Sequence, residues 1–274
     1  MKPIKALIFT GYGLNCDYET QYALARAGAE PHRMHINAVI SDETVKLDRY
    51  DLLVFGGGFS WGDDHGAGVI MAAKMKRRLG RDIARFVRSG RLILGICNGF
   101  QCLVNLGLLP AFNGRYDERR VAITYNDSGN FVDTWVTLKA NSESPCVFTR
   151  GIPSIELPVR HGEGKFLAAD QDLTELFQQN QVVFQYADPE GNEADGRYPL
   201  NPNGSLRDIA GICDPTGRIL GLMPHPEAYN HITNHPAWTR KKELSLREGK
   251  TLKSTEGAGI EIFRNAVEYL KQNI

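Results

Sequence analysis

A thiol set between two glycines carries the first chemical signal of this chain: Gly95-Ile96-Cys97-Asn98-Gly99-Phe100-Gln101. The apolar run Leu92-Ile93-Leu94 precedes it, and Cys102, Leu103, Leu106 and Leu108 follow at helical spacing. That pattern predicts a buried strand, a sharp turn and a helix. Gly-x-Cys-x-Gly at such a junction is the thiol form of the nucleophile elbow, which pushes its central side chain out at a strand end. There the N-terminus of the following helix favours a thiolate. A structural core cysteine is the competing reading, because cysteine is among the most buried residue types. Cys102 fits that reading better, since it falls inside the helical pattern without a glycine cage.

A second constellation is Met223-Pro224-His225-Pro226-Glu227. Each proline holds its predecessor extended, and residues two apart in an extended chain point the same way. His225 and Glu227 then stand side by side, as an imidazole oriented by a carboxylate, the base that a nucleophile requires. A surface turn is the competing reading, since His and Glu are both common outside, and the pair alone is weak evidence. A third constellation, Gly56-Gly57-Gly58-Phe59-Ser60-Trp61-Gly62-Asp63, follows an apolar run and allows the backbone to approach a ligand. Its N–H groups and the amide of Asn98 are candidates for an oxyanion hole. Thiol, base pair and donor loop together point to acyl transfer through a thioester.

Several elements must position these groups. Hydrophobic patterning predicts strands over 4–10, about 33–36, 52–55 and 92–96. It predicts helices over 18–27, 69–88 and the residues after Cys97. Strands that alternate with helices imply an α/β fold, with an open, mostly parallel sheet flanked by helices; ligand sites in such sheets lie at the carboxyl ends of strands. Beyond Asn113 the pattern becomes strand-rich, with runs at 121–124, 131–138 and 182–186. A hairpin over 211–213 and 219–223 turns at Pro215-Thr216-Gly217, and a last helix spans 260–271. No Pro-, Gly- or Ser-rich linker divides the chain, which reads as one domain over 1–274. The polar stretches 188–205 and 230–257 read as long loops, disordered or contact-making.

Composition narrows the classes. The 274 residues hold 32 Lys plus Arg against 32 Asp plus Glu, which gives no bias toward nucleic acid or membrane surfaces. The five cysteines fall at 16, 97, 102, 146 and 213, with neither disulfide-framework nor zinc spacing, which suits a reducing, cytoplasmic setting. Residues 92–114 carry no charge, but their Asn, Gln and Gly content fits a buried strand and helix better than a membrane span.

The Gly-Ile-Cys-Asn-Gly-Phe-Gln run at 95–101 and His-Pro-Glu at 225–227 resemble the class I (triad) glutamine amidotransferases, whose fold is flavodoxin-like. Within them the chain is similar to the glutaminase subunits of phosphoribosylformylglycinamidine synthases. Asn15-Cys16-Asp17, residues 57–63, His161-Gly162-Glu163-Gly164 and residues 198–205 carry that narrower likeness, in the same order. The resemblance implies a glutaminase: Cys97 attacks the side-chain amide of glutamine, His225 gives the leaving ammonia its proton and then activates water, and Glu227 holds His225. It implies that the Gly58 and Asn98 amides stabilise the oxyanion, that Gln101 contacts glutamine or its loop, and that the backbone at Gly162 and Glu163 holds the substrate's α-amino and carboxylate groups. It further implies no cofactor or metal on this chain, with ATP and Mg on a synthetase partner that a small accessory subunit can join. That partner would take the ammonia into formylglycinamidine ribonucleotide in purine biosynthesis. The chain departs from the subfamily at Ala228, where Arg is usual, at Trp61, where Tyr is frequent, and in the longer 230–257 segment.

Other readings stay open on the residues alone: a glutaminase for another synthetase, a thiol hydrolase on a related fold, or a non-catalytic regulatory subunit. Gly11-x-Gly13-x-x-Cys16 lacks the third glycine of a dinucleotide fingerprint, and Gly249-Lys250-Thr251 lacks the first glycine of a phosphate loop. His231 and His235 have helical spacing without the glutamate of a zinc motif. Asp63-Asp64-His65 reads as a loop support.

Overall fold

The computed structural model describes residues 2–42, 45–249 and 254–274. Lys250 and Thr251, and with them part of the 230–257 segment, lie outside the described residues. The strands, in chain order, are β1 (Lys5–Thr10), β2 (Glu30–His35), β3 (Leu52–Phe55), β4 (Leu92–Ile96), β5 (Val121–Thr124), β6 (Val132–Ala140), β7 (Ser154–His161), β8 (Lys165–Ala168), β9 (Val182–Ala187), β10 (Ile209–Cys213) and β11 (Ile219–Leu222). The α-helices are α1 (Asp17–Arg26), α2 (Ile36–Ser41), α3 (Val69–Arg88), α4 (Asn98–Leu106), α5 (Asp170–Gln178), α6 (Trp238–Arg247) and α7 (Ile260–Asn273).

Among the described residues, nine strands join in one sheet, ordered β2-β1-β3-β4-β11-β10-β9-β6-β7. The first five run parallel. The next four pair antiparallel, so β10 and β6 oppose the others while β9 and β7 run with them. The central strands are apolar throughout because both faces are covered: every residue of β3 and β4 is buried. Helix α1 packs against α7, and α3 packs against both α2 and α4, so the helices flank the sheet in two groups. Helix α3 turns Met71, Met75, Leu79, Ile83 and Phe86 inward at three- and four-residue intervals, the stripe that docks it on the sheet.

The charge-free stretch 92–114 is β4 followed by α4. No described helix is long and apolar enough to cross a membrane. The 188–205 segment is the expected loop, and the 230–257 reading changes. The 188–205 segment is ordered: Ala194, Asn201, Asn203 and Ser205 are buried, and Asn201 Nδ2 donates to the Ser205 carbonyl at 2.9 Å and to Asp208 Oδ1 at 2.8 Å. The 230–257 segment holds α6 rather than a loop throughout.

Candidate active site

Cys97 follows β4 and caps α4 with φ 51° and ψ −107°, a region that L residues occupy only when their surroundings dictate it. Its N–H donates to Leu222 O of β11 at 2.8 Å, and its carbonyl accepts from Gln101 N at 3.1 Å. Gly99 makes this junction possible: a Cβ there would stand 1.9 Å from the Phe55 carbonyl oxygen, so α4 rests directly on β3. The thiol, in a residue only 4% exposed, therefore sits at the first turn of a helix whose leading N–H groups are free. Cys102 sits in the core, where burial pushes its thiol far above the usual range.

The base follows β11, the strand beside β4. His225 is extended, φ −107° and ψ 90°, as the following proline requires. Pro226–Ala228 then forms a 3-10 turn in place of the expected continued extension. The turn still joins the two side chains, with His225 Nδ1 2.6 Å from Glu227 Oε1, both residues nearly inaccessible. A carboxylate can only accept, so Nδ1 carries the proton and Nε2 is the working nitrogen. Nε2 has no hydrogen-bond partner among the described residues. Burial alone would lower the imidazole's pKa. The charge of Glu227, then interactions with Cys97 and Cys16, outweigh burial and hold it well above its usual value. The edge strand β7 completes the enclosure: Pro158 O accepts from His225 N at 2.8 Å, and Arg160 O lies 3.7 Å from Cys97 Sγ.

The glycine loop is locked onto the segment after β1. Asn15 N donates to Gly57 O at 3.2 Å and Phe59 N to Gly13 O at 2.9 Å. These bonds flank the Leu14–Gly58 bridge, which is therefore the non-hydrogen-bonded kind, with the Gly58 N–H directed away from that segment. Gly58 has φ +141°, and a Cβ on it would meet the Gly13 carbonyl oxygen at 2.4 Å. Asn98 supplies the other candidate donor, the first N–H of α4. Its buried side chain is a hub: Nδ2 donates to Asp63 Oδ1 at 3.0 Å and to Gln101 Oε1 at 3.1 Å, and Oδ1 accepts from Ser60 N at 3.4 Å. Burial, then the charge of Glu163, raises the Asp63 carboxyl to about 6 against the opposing Asn98 hydrogen bond.

Gln101 reaches the loop expected of it, with Nε2 2.5 Å from the Glu163 carbonyl. Glu163 Oε2 accepts from Ala67 N at 3.2 Å, and the Gly162 carbonyl accepts from Asn126 N at 2.9 Å. The loop after β7 is thus tied to α4, to the residues before α3 and to Asn126. Asn126 and Asn203 brace it further. His161 Nδ1 is 3.1 Å from Asn126 Oδ1, and Asn203 Nδ2 donates to Gly164 O at 2.9 Å and to Tyr186 Oη at 3.0 Å. Burial, then the His225 charge, lowers His161 to about 3, so this second histidine is neutral.

Among the described residues, one group of metal-type donors converges: Cys16, His225 and Glu227, with donor atoms within 4.8 Å of one another. Two N or O donors on one tetrahedral zinc ion stand roughly 3.3 Å apart, given bonds of about 2.0 Å. The 2.6 Å His225–Glu227 contact is instead a hydrogen bond. His231 and His235 do not share a helix face, because residues 232–234 form a single 3-10 turn. His231 Nδ1 accepts from Thr233 N, and His235 Nδ1 accepts from Ala237 N.

The structure brings Cys97, His225, Glu227, Asn98, Gln101 and Glu163 into one connected site, with Gly58 and Gly162 on its two loops. Sequence reasoning assigned no role to Cys16 or His161, although both lie in segments that it singled out.

This geometry defines a thiol–imidazole–carboxylate site on an α/β sheet, and residues 3–270 match the family described as CobB/CobQ-like glutamine amidotransferase domain. The chain belongs to that family. It is 46% identical over 268 residues to phosphoribosylformylglycinamidine synthase subunit PurQ of Methanococcus maripaludis, covering 98% of each chain. It is 43% identical over 272 residues to the subunit of the same name from Dehalococcoides mccartyi, covering 99% of this chain and 100% of that one. A solved chain from the structure of PurLQS from Thermotoga maritima is similar throughout, with a TM-score of 0.70, 30% identity, and coverage of 98% of this chain and 100% of that one.

Proposed function

We propose that this chain is the glutaminase subunit of a phosphoribosylformylglycinamidine synthase, hydrolysing glutamine to glutamate and ammonia at Cys97. The observation that carries the chemistry is the buried His225 Nδ1–Glu227 Oε1 pair at 2.6 Å, beside a strained cysteine elbow. Full-length likeness to the subunits named above supports the choice of acceptor.

The steps follow from the groups in place. The Cys97 thiolate adds to the side-chain amide carbon of glutamine, and the carbonyl oxygen becomes an oxyanion facing the Gly58 and Asn98 N–H groups. The His225 imidazolium gives its Nε2 proton to the leaving nitrogen, and ammonia departs from a glutamyl thioester. Neutral His225 then takes a proton from water, whose hydroxide adds to the thioester; collapse of the second oxyanion expels the Cys97 thiolate beside the restored imidazolium, and the glutamate carboxyl loses its proton to solvent. Glu227 keeps the Nδ1 proton in place throughout. The loop at Gly162 and Glu163 and the side chain of Gln101 hold the α-amino and carboxylate end of glutamine.

Ammonia passes to a synthetase subunit, which uses ATP and Mg to convert formylglycinamide ribonucleotide to its amidine; a small accessory subunit joins the complex. The chain works as one amidotransferase unit over 1–274, in a cytoplasmic setting, and five free cysteines support that compartment. Ammonia release from glutamine, with and without the synthetase, tests the proposal. Release that disappears in Cys97→Ala is expected; equal release by that variant would refute it.

A further inference from the structure

The structure assigns Cys16, a second thiol packed behind the His225 imidazole, the role of a positioning residue that holds the ring with Nε2 toward Cys97; this rests on the triad reading above. Cys16 precedes α1 and is pinned through its backbone. Its carbonyl accepts from both Thr20 N at 3.1 Å and Thr20 Oγ1 at 2.6 Å. The side chain enters the site rather than solvent, and the residue is 9% exposed. Its S–H points to Asn15 Oδ1 at 3.4 Å, which leaves the sulfur lone pairs for other neighbours. Sγ lies 3.8 Å from His225 Nδ1, the nitrogen already held by Glu227.

Gly57 forms the adjoining wall. A Cβ there would stand 2.7 Å from His225 Cε1 and 3.1 Å from Cys16 Sγ. Ring, sulfur and the Gly57 backbone therefore pack together, with the sulfur against the Nδ1 edge of the ring. Sulfur is a weak acceptor, so it steadies the Nδ1–H without drawing it from the carboxylate. Burial pushes the Cys16 thiol up, which keeps it neutral. The titratable groups facing His225 are Glu227 of its own turn, Cys97 of the elbow, Cys16 before α1 and His161 of β7. The first three favour the imidazolium, and His161 opposes it only if it takes up a proton itself.

The test compares the full chain, wild type, with Cys16→Ala, Cys16→Val, Cys16→Ser and Cys97→Ser. Glutaminase kinetics are measured across pH, and the His225 titration is followed by NMR of ¹³C-labelled histidine Cε1. Cys16→Ala frees the ring and removes the acceptor. Its kcat should fall roughly tenfold, a part of the 10²- to 10⁴-fold that a positioned acid–base group contributes. KM for glutamine should hold, and the His225 titration should move to lower pH. Cys16→Val fills the space but cannot accept, so it gives the same downward titration shift and decides the matter if the alanine variant does not fold. Cys16→Ser restores an acceptor and recovers most of kcat. Wild-type kcat with an unmoved titration in the alanine or valine variant would overturn the assignment, as would lost activity with an unmoved titration. Ammonia release by Cys97→Ser would instead remove the triad reading itself, whatever the Cys16 variants do.

Discussion

A carboxylate as buried as Glu227 needs a donor in place of the water it has lost, and His225 Nδ1–H supplies one at 2.6 Å. The pairing has a direct consequence for catalysis. Glu227→Gln keeps the shape but removes the charge, and it permits the wrong histidine tautomer. Glutaminase kcat should fall on the order of 10²- to 10⁴-fold, with KM for glutamine little changed. Because burial would then dominate, the imidazolium would be lost at lower pH, and the alkaline limb of the activity profile should move downward. Steady-state kinetics across pH check both statements. At this scale the sequence was most legible where chemistry and spacing coincide locally. Cys97 lies between glycines, and His225 and Glu227 are two residues apart with prolines interposed. Cys16 and His161 escaped because their significance is set by packing across distant elements: Cys16 meets a histidine 209 positions away.

Elements hold these residues by close contact of backbone with backbone. The elbow depends on Gly99, where no Cβ fits beneath the Phe55 carbonyl. Gly99→Ala should cost about 3 kcal/mol and lower the melting temperature by on the order of 10 °C, with glutaminase activity lost even where the fold survives. Calorimetry beside an ammonia assay separates the two effects. The central strands were readable because burial on both faces gives unbroken apolar runs, as in Leu52-Leu53-Val54-Phe55. Strand β7 was not: it contains Pro158, which a strand accommodates at the sheet edge that β7 occupies. Helix α6 has no buried residue and so carries no apolar stripe to detect. The 188–205 segment is ordered by Asn201, Asn203 and Ser205 through side-chain hydrogen bonds, a mode of packing that hydrophobic periodicity does not register.

Across the whole molecule, the site occupies the carboxyl ends of the parallel strands, where loops after β1, β3, β4, β7 and β11 meet. Cys97, His225 and Glu227 are at most 4% exposed, so glutamine entry and oxyanion-hole geometry depend on how those loops are held. A partner surface over such loops can shift their positions, and with them the reach of the Gly58 N–H and the path of glutamine to Cys97. Basal glutaminase activity of the chain alone should therefore be low and should rise when the synthetase subunit binds; equal rates alone and in complex would contradict this. The most direct test of the central claim is mass spectrometry of the chain quenched in acid during turnover of glutamine. The account predicts a glutamyl thioester on the peptide that carries Cys97, absent from the Cys97→Ala protein. Ammonia production with no adduct in the wild type and undiminished in that variant, or an adduct on another cysteine, would contradict it.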